Sequence, residues 1–461
     1  MPRISINPLW VAALQSMLLT VAAGCTSPGV VVTLLNRPSN ILVVIADDVG
    51  VDKTAAYGEH ADPPPTPNLT ALAERGVLFT RAFAYPKCSP TRAGVLTGRY
   101  GFHYGIGDHL LPGHRWELSL EEVTVPRMLD EGTAGLYAHS AVGKWHLGGR
   151  GRGSIGPIHP VASGFTYHAG ALGNLAAHVL PHGREQSYFH FKKAEMGELY
   201  IEHEYATRDT TNDAIARIQA MPEPWFLWVA YNAAHSPYHA PPPDLNSDGV
   251  TDEDPISARY DAMVGSIDLE MGHLFQSMGS DLLDRTVIVF MGDNGTPPEV
   301  KTGREAGRPG KETLYEGGIR VPLIIAGPPV RLPGGRTDGL VNHTDLFATV
   351  AEIAGADLEL SEESVSLLPY LDDPDLPSLR EVVFAERFLP NGPGPYDEVH
   401  RMVRDERWKL ITHHGGDDEL YDLREDPLEA KNLASSFPDG EAQDAHTRLR
   451  MEMRAILSVP W

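Results

Sequence analysis

Cysteine is nearly absent from this 461-residue chain, which has only Cys25 and Cys88 and so cannot lean on a disulfide framework for stability. Basic charge is scarce as well: 38 Lys and Arg stand against 62 Asp and Glu, a formal net charge of -24. That balance excludes a broad nucleic-acid or anionic-membrane surface, because both need a basic face to release counterions. Any anionic substrate must be held by a local cluster. Long apolar runs are missing too, apart from Leu9 to Ala23, which Gln15, Ser16 and Thr20 interrupt and which is short for a membrane span. No internal repeat is visible. What remains is a globular composition, long enough for one large core and a smaller second one.

Arg3, the apolar stretch and Ala22-Ala23-Gly24-Cys25 read as an export signal over residues 1–25 with a small-residue cleavage site. It resembles a bacterial lipobox, in which Cys25 becomes the lipidated first residue, and residues 26–38 then read as a tether. Plain secretion and an uncleaved anchor are the alternatives. The expected location is the bacterial periplasm or cell surface, with membrane contact only through a lipid at Cys25. In an oxidising compartment Cys88 is then a leftover thiol, paired elsewhere or reactive.

Apolar β-branched runs alternate with helix-period stretches. "ILVVIAD" (41–47), "GLYAHSAV" (135–142), "WFLWVAY" (225–231), "RTVIVFM" (285–291) and "VPLIIAG" (321–327) read as buried strands. Helices are expected after Thr66, with Thr66 as N-cap and Gly76 as stop, then over 208–221 and 257–278, where Tyr260, Met263, Val264, Ile267, Met271, Leu274, Phe275 and Met278 share one face. The pattern predicts an α/β protein, a large mostly parallel sheet flanked by helices over 39–375. From about 376 to 461, shorter alternations and a polar helix from about 440 predict a small antiparallel α+β subdomain.

Ligands of open parallel sheets bind beyond the carboxyl ends of the strands. At those ends stand Asp47-Asp48, then "GKWHLG" with Lys144 and His146, "NAAHSPYH" with His235, and "GDNG" with Asp293 and Asn294. Asp47, Asp48, Asp293 and Asn294 offer only oxygen, which suits calcium or magnesium and disfavours zinc. Taken singly, Asp-Asp and Asp-Asn-Gly are ordinary turn chemistry. Cys88 precedes "SPTRAGVLTG", in which Pro90 fits a first helical turn and Gly98 an end, so it stands at a helix N-terminus. A thiolate with a depressed pKa and a small buried hydrophobe are both open there.

"CSPTRAGVLTGR" (88–99) resembles the Cys-x-Pro-x-Arg signature of formylglycine-dependent sulfatases, of arylsulfatase type within the alkaline phosphatase superfamily. "NILVVIADDVG", "TPNLTALAERGVLFTRAFA", "GKWHLG", "GDNG", "GKETLYEGGIRVPLIIAGP", "RDERWKLI" and "ELYDLREDPLEAKNLA" are similar to blocks of that family in order, over roughly 39–434. The resemblance implies that a formylglycine-generating enzyme converts Cys88 to an aldehyde, whose hydrate attacks the sulfur of a sulfate ester. By the same resemblance Asp47, Asp48, Asp293 and Asn294, with the modified Cys88, hold one calcium. Lys144 and Lys311 neutralise sulfate oxygens, Arg92 fixes the nucleophile, His235 protonates the leaving alcohol and His146 is the base. Alone, these lysines and histidines would read as surface and core residues.

The implied substrate is an aryl or carbohydrate sulfate, a sulfated small molecule or glycan. Phosphate or phosphonate ester hydrolysis on the same superfamily fold is one alternative, and a non-catalytic surface protein binding sulfated glycans is another. "DLNSDGVTDED" (244–254) follows the start of a calcium-loop pattern but has Pro255 where the bidentate Glu belongs, leaving a second structural calcium against an acidic turn. His159, His168, His178, His182, His190 and His203 fit no single zinc site and are expected around the pocket mouth.

Overall fold

The computed structural model describes residues 38–458 apart from 112–114, 150, 152, 176–186, 358–362, 438 and 439. The signal, lipobox and most of the tether, as well as His178 and His182, lie outside the described residues. No helix among the described residues is long and apolar enough to cross a membrane.

The large sheet is built from β1 (Asn40–Ala46), β2 (Gly76–Phe83), β3 (Ala138–Gly143), β4 (His168–Gly170), β5 (Phe191–Glu195), β6 (Glu198–Glu202), β7 (Trp225–Ala230), β8 (Thr286–Gly292), β9 (Arg320–Ala326), β10 (Gly335–Thr337) and β11 (Val341–Asn342). Its order is β10-β2-β9-β8-β1-β7-β3-β4-β5-β6, with β11 also beside β2. Strands β8, β1, β7, β3 and β4 are parallel, and β10 and β11 run parallel to β2. β9 is antiparallel to β2 and β8, and β5 and β6 close the far edge as an antiparallel pair. Because β9 reverses twice, β2 runs the same way as β8, and its carboxyl end joins the common rim.

β1 shows why the central strands are continuous apolar runs. Ile41, Val43 and Ile45 join a core with Val125, Met128 and Leu129 on one side and Leu346, Phe347 and Val350 beyond. Leu42, Val44 and Ala46 join a second core with Tyr260, Met263, Ile267, Met271 and Leu274. Alternate side chains thus leave water on opposite faces, each large aliphatic contributing about 1.5–3 kcal/mol. The expected helix 257–278 is the inner part of Ile256–Leu283, which bends at Gly279 (φ 69°). The expected strand 135–142 begins only at Ala138, because Ala134 (φ 53°) and Gly135 (φ 72°) form a left-handed turn.

Helix α1 (Pro67–Arg75) follows Thr66 as expected, but the Thr66 hydroxyl accepts from Ala55 instead of capping the helix. Asp268, from the long helix, takes the Asn68 and Leu69 N–H groups at 3.1 and 2.8 Å. A tertiary carboxylate does the work of a cap here.

The second sheet, β12 (Val383–Leu389), β13 (Glu398–Arg404), β14 (Trp408–His413) and β15 (Glu419–Asp422), is antiparallel throughout. Phe384, Val403, Leu410 and Leu420 pack against Leu449 and Met453 of the helix Gly440–Leu457. Val383, Ala385, Met402 and Ile411 pack with Phe83, Tyr85 and Ile319 at the end of the large sheet.

Lys409 of β14 has no solvent exposure and reaches Glu316, just before β9, at 3.1 Å and Glu429 at 2.7 Å. Burial alone would raise the Glu316 carboxyl, yet Lys409 and Arg404 bring it down to about 2. This depressed value gives stability that is present above the unfolded pKa of about 4.3 and is lost as pH falls toward 2. Lys409→Met leaves the buried Glu429 without its cation and Glu316 with Arg404 alone, and is expected to cost about 3 kcal/mol at pH 7, read from the denaturant midpoint. The same variant should flatten the loss of stability below about pH 4.

Candidate active site

Every expected site residue stands at the rim where β1, β3, β7, β8 and β2 end. Asp47 and Asp48 follow β1 directly, and Asp293 and Asn294 follow β8. Lys144 follows β3 at Gly143, where a Cβ would lie 2.0 Å from the Ala230 carbonyl oxygen. At Gly292 a Cβ would lie 2.2 Å from the Val49 oxygen. Only glycine lets these strand ends approach so closely. Beyond β2, helix α2 (Cys88–Thr97) starts at Cys88 and stops at Gly98 in the left-handed conformation.

Arg92 on α2 is wholly buried. It donates from Nε and Nη2 to Oδ2 of Asp293 at 3.0 and 2.8 Å, and from Nη1 to the Lys144 carbonyl at 2.9 Å. The other Asp293 oxygen accepts the Asp48 N–H at 3.1 Å, which holds Asp48 at φ 63°. Asn294 donates Nδ2 to Asp48 Oδ1 at 2.9 Å. Lys144 contacts Asp47, and Lys311 donates to Asp48 at 2.7 Å. Both lysines thus meet carboxylates of the proposed metal set in this structure.

Three observations fit a cation. Single ligand atoms of Asp47, Cys88 and Asp293 lie within 4.8 Å of one another, which among the described residues is the one cluster of this kind. Oδ1 of Asp47 and Oδ1 of Asn294 are buried acceptors without a hydrogen-bond partner. Burial and then the Asp293 charge push the Asp47 carboxyl well above its usual range, and Lys144 offsets this only in part. Excess negative charge in a dry site is what a hard, oxygen-bound cation relieves. At Asp48 burial also acts upward, but Lys311, His235 and Lys144 hold it well below that range.

Cys88 is buried, and burial raises its thiol above the ordinary value despite Lys144 and Lys311. The depressed-thiolate reading is therefore corrected: the helix N-terminus does not overcome the loss of water. His146 (φ 60°) places Nε2 3.1 Å from the Leu110 carbonyl and Nδ1 3.1 Å from Cys88 Sγ. The carbonyl can only accept, so Nε2 carries the proton and Nδ1 offers its lone pair to position 88.

His235 donates Nδ1 to the Ser236 carbonyl at 2.8 Å, leaving Nε2 3.9 Å from Asp48. Burial and the Lys311 charge bring its pKa down to about 3. His239, offered by the same segment, instead stacks on Tyr188 at 4.4 Å and bonds the Tyr205 hydroxyl.

A cavity of about 560 Å³ opens above the site, lined by Asp48, Cys88, His235 and Lys311. It is also lined by Lys87, His109, Asn174, Tyr238, Glu299 and Glu312, none of which the motifs single out. Lys87 and Glu312 are chain neighbours of Cys88 and Lys311, and that adjacency is the one signal that could have found them. Arg387 of β12 reaches the rim by donating to Asp108 at 2.7 Å.

Two expectations change. His159 and His168 are core residues around Trp145, not loop residues at the pocket mouth, with His159 accepting the Trp145 Nε1–H at 3.1 Å. In 244–254, Asp244 pairs with Arg208, Asp252 accepts the Ala240 N–H, Asn246 bonds Val250 and Asp254 bonds Thr251. These oxygens serve separate partners, so the segment is arranged here as an acidic turn.

A carboxylate set suited to a cation, facing a helix N-terminus and backed by two histidines, defines a hydrolase for anionic esters. The Sulfatase family model matches residues 39–356, and the model for the C-terminal part of N-sulphoglucosamine sulphohydrolase matches 305–457. Arylsulfatase A of Homo sapiens is 30% identical over 463 residues, covering 91% of this chain and 86% of its own. N-acetylgalactosamine-6-sulfatase of Canis lupus familiaris is 33% identical over 349 residues, covering 69% and 63%. The solved structure of Ps i-CgsB in complex with k-i-k-neocarrahexaose superposes with a TM-score of 0.75 at 25% identity, covering 91% of this chain and 92% of its own. The chain belongs to the sulfatase family and is a sulfuric ester hydrolase.

In protein carrying unmodified cysteine, iodoacetamide should alkylate Cys88 more slowly than a free thiol at pH 8, and faster as pH rises. Peptide mass after timed quenching reads this directly; rapid alkylation at pH 7 would show a thiolate instead.

Proposed function

We propose that the protein hydrolyses aryl or carbohydrate sulfates at position 88, matured to formylglycine by a formylglycine-generating enzyme, beside one calcium. The observation that carries this reading is the convergence of Cys88, Asp47 and Asp293 around orphaned buried oxygens. A buried thiol pushed above its ordinary pKa is a poor nucleophile as it stands, which fits a precursor. The names of the relatives, an arylsulfatase and an N-acetylgalactosamine-6-sulfatase, support an aryl or sugar sulfate as substrate.

The aldehyde hydrate would supply a hydroxyl nucleophile, and Asp47, Asp48, Asp293 and Asn294 would hold a cation whose positive charge would make that hydroxyl more acidic. His146 Nδ1 faces position 88 and is placed to accept a proton there, its tautomer set by the Leu110 carbonyl. Lys144 and Lys311 stand over the carboxylates and are placed to meet sulfate oxygens as charge develops. His235 is neutral before substrate binds, because burial and Lys311 depress it. A proton taken up at His235 Nε2 from water when the anionic ester binds would pass to the leaving oxygen, where negative charge builds as the S–O bond breaks.

A two-zinc phosphoesterase reading finds no histidine cluster among the described residues. For a module that only binds glycans, the retained nucleophile precursor would have no use. The export and lipid-anchor reading rests on residues 1–25 alone.

Two outcomes test the proposal. Protein made with a formylglycine-generating enzyme should yield a tryptic peptide Cys88 to Arg92 whose thiol has become an aldehyde, and Cys88→Ala should lose at least about 10³-fold in kcat/KM. Calcium at 100 times its Kd should raise unfolding stability by about 2.7 kcal/mol, seen as a shift in Tm, and Asp47→Asn should abolish the shift. Magnesium in place of calcium serves as the comparison.

A further inference from the structure

The cavity above position 88 carries three carboxylates in its lining, and they differ in what faces them. Asp48 is held by Lys311. Glu312 is met by Lys87 at 2.5 Å. Glu299 is exposed, and among the described residues no ammonium or guanidinium pairs with it; one of its oxygens accepts the Tyr238 hydroxyl at 2.9 Å. Tyr238 belongs to the same short segment as His235, and all three residues line the cavity.

On the sulfatase reading, His235 faces the leaving alcohol, and Tyr238 and Glu299 line the same cavity. A substrate held there meets in Glu299 a carboxylate with no cationic partner among the described residues and with one oxygen beyond the Tyr238 bond. We propose that Glu299 is a specificity-determining residue that selects alcohols presenting a hydrogen-bond donor, a hydroxyl or an N–H, beside the sulfate ester. It disfavours alcohols that carry a second sulfate or a carboxylate there. This rests on the sulfatase reading above. The physical basis is asymmetric: a carboxylate accepts strongly from a donor, whereas a nearby anion is repelled, an effect that solvent and salt screen at an exposed residue. Lys311 and Lys87 face Asp48 and Glu312, and neither pairs with Glu299.

Aryl sulfates isolate the effect from any sugar geometry. Catechol monosulfate places a hydroxyl beside the ester, and salicyl sulfate places a carboxylate there. The ratio of kcat/KM for the first over the second, measured at low salt by sulfate release, should fall about tenfold in Glu299→Gln and further in Glu299→Lys. The change should appear mainly as a lower KM for salicyl sulfate, which a merely structural defect would not produce. An unchanged ratio in both variants, with 4-nitrophenyl sulfate still hydrolysed by the matured wild-type enzyme, overturns this inference alone. Failure of the matured wild-type enzyme to hydrolyse 4-nitrophenyl sulfate overturns its use of aryl sulfates, and this inference with it.

Discussion

One buried ion pair organises the site. Arg92 and Asp293 have no solvent exposure, and the guanidinium holds Asp293 with two nitrogens while a third reaches the Lys144 carbonyl. Three separate pieces of chain, the helix after β2 and the ends of β8 and β3, are thereby tied through one planar group. A lysine could not do this, because a point charge lacks the fork that addresses several acceptors in fixed directions. Breaking such a pair typically costs about 3–5 kcal/mol, since the surviving charge is left dry and alone. The Asp48 N–H then completes the remaining Asp293 oxygen, so position 88 and the clustered carboxylate oxygens are set by the same contact.

That contact works only because the topology brings the ends together. Parallel β8, β1, β7 and β3 all deliver their carboxyl ends to one rim, and β9 reverses the direction twice so that β2 does so too. The rim is kept dry by two cores, one on each sheet face. Dryness has opposite consequences for different groups. It raises Asp47 and the Cys88 thiol and lowers His235, while nearby lysines keep Asp48 ionised. The same low dielectric that penalises an isolated charge strengthens each pairing at the site.

Much of this was legible from local patterns. The strands 41–47, 225–231, 285–291 and 321–327 appear within a residue or so, because both faces of each are buried and apolarity is continuous. "GDNG", "GKWHLG" and "CSPTRAGVLTG" announce themselves because turn, helix start and chemistry fall within a few consecutive residues. Other features were not legible for a common reason: their meaning lies in a partner far away in sequence. Thr66 looks like a helix cap, yet Asp268 takes the bonds. His159 and His168 look like pocket residues, yet they pack on Trp145. Glu299 reaches the cavity from a segment with no recognisable motif, and Tyr238 stands in "NAAHSPYH" beside His235 with nothing local to mark its role.

By itself, then, the sequence determined the α/β class, the family and the residues able to carry chemistry, because hydrophobic periodicity and short motifs are properties of neighbouring residues. Only the tertiary structure decided which carboxylates pair with which cations, which nitrogen of His146 faces position 88, and that burial pushes the Cys88 thiol up. Those outcomes depend on desolvation and on contacts between residues up to some 260 positions apart, such as Asp48 with Lys311. Pairing and burial of that kind arise when the strands assemble, and no local stretch of chain encodes them alone.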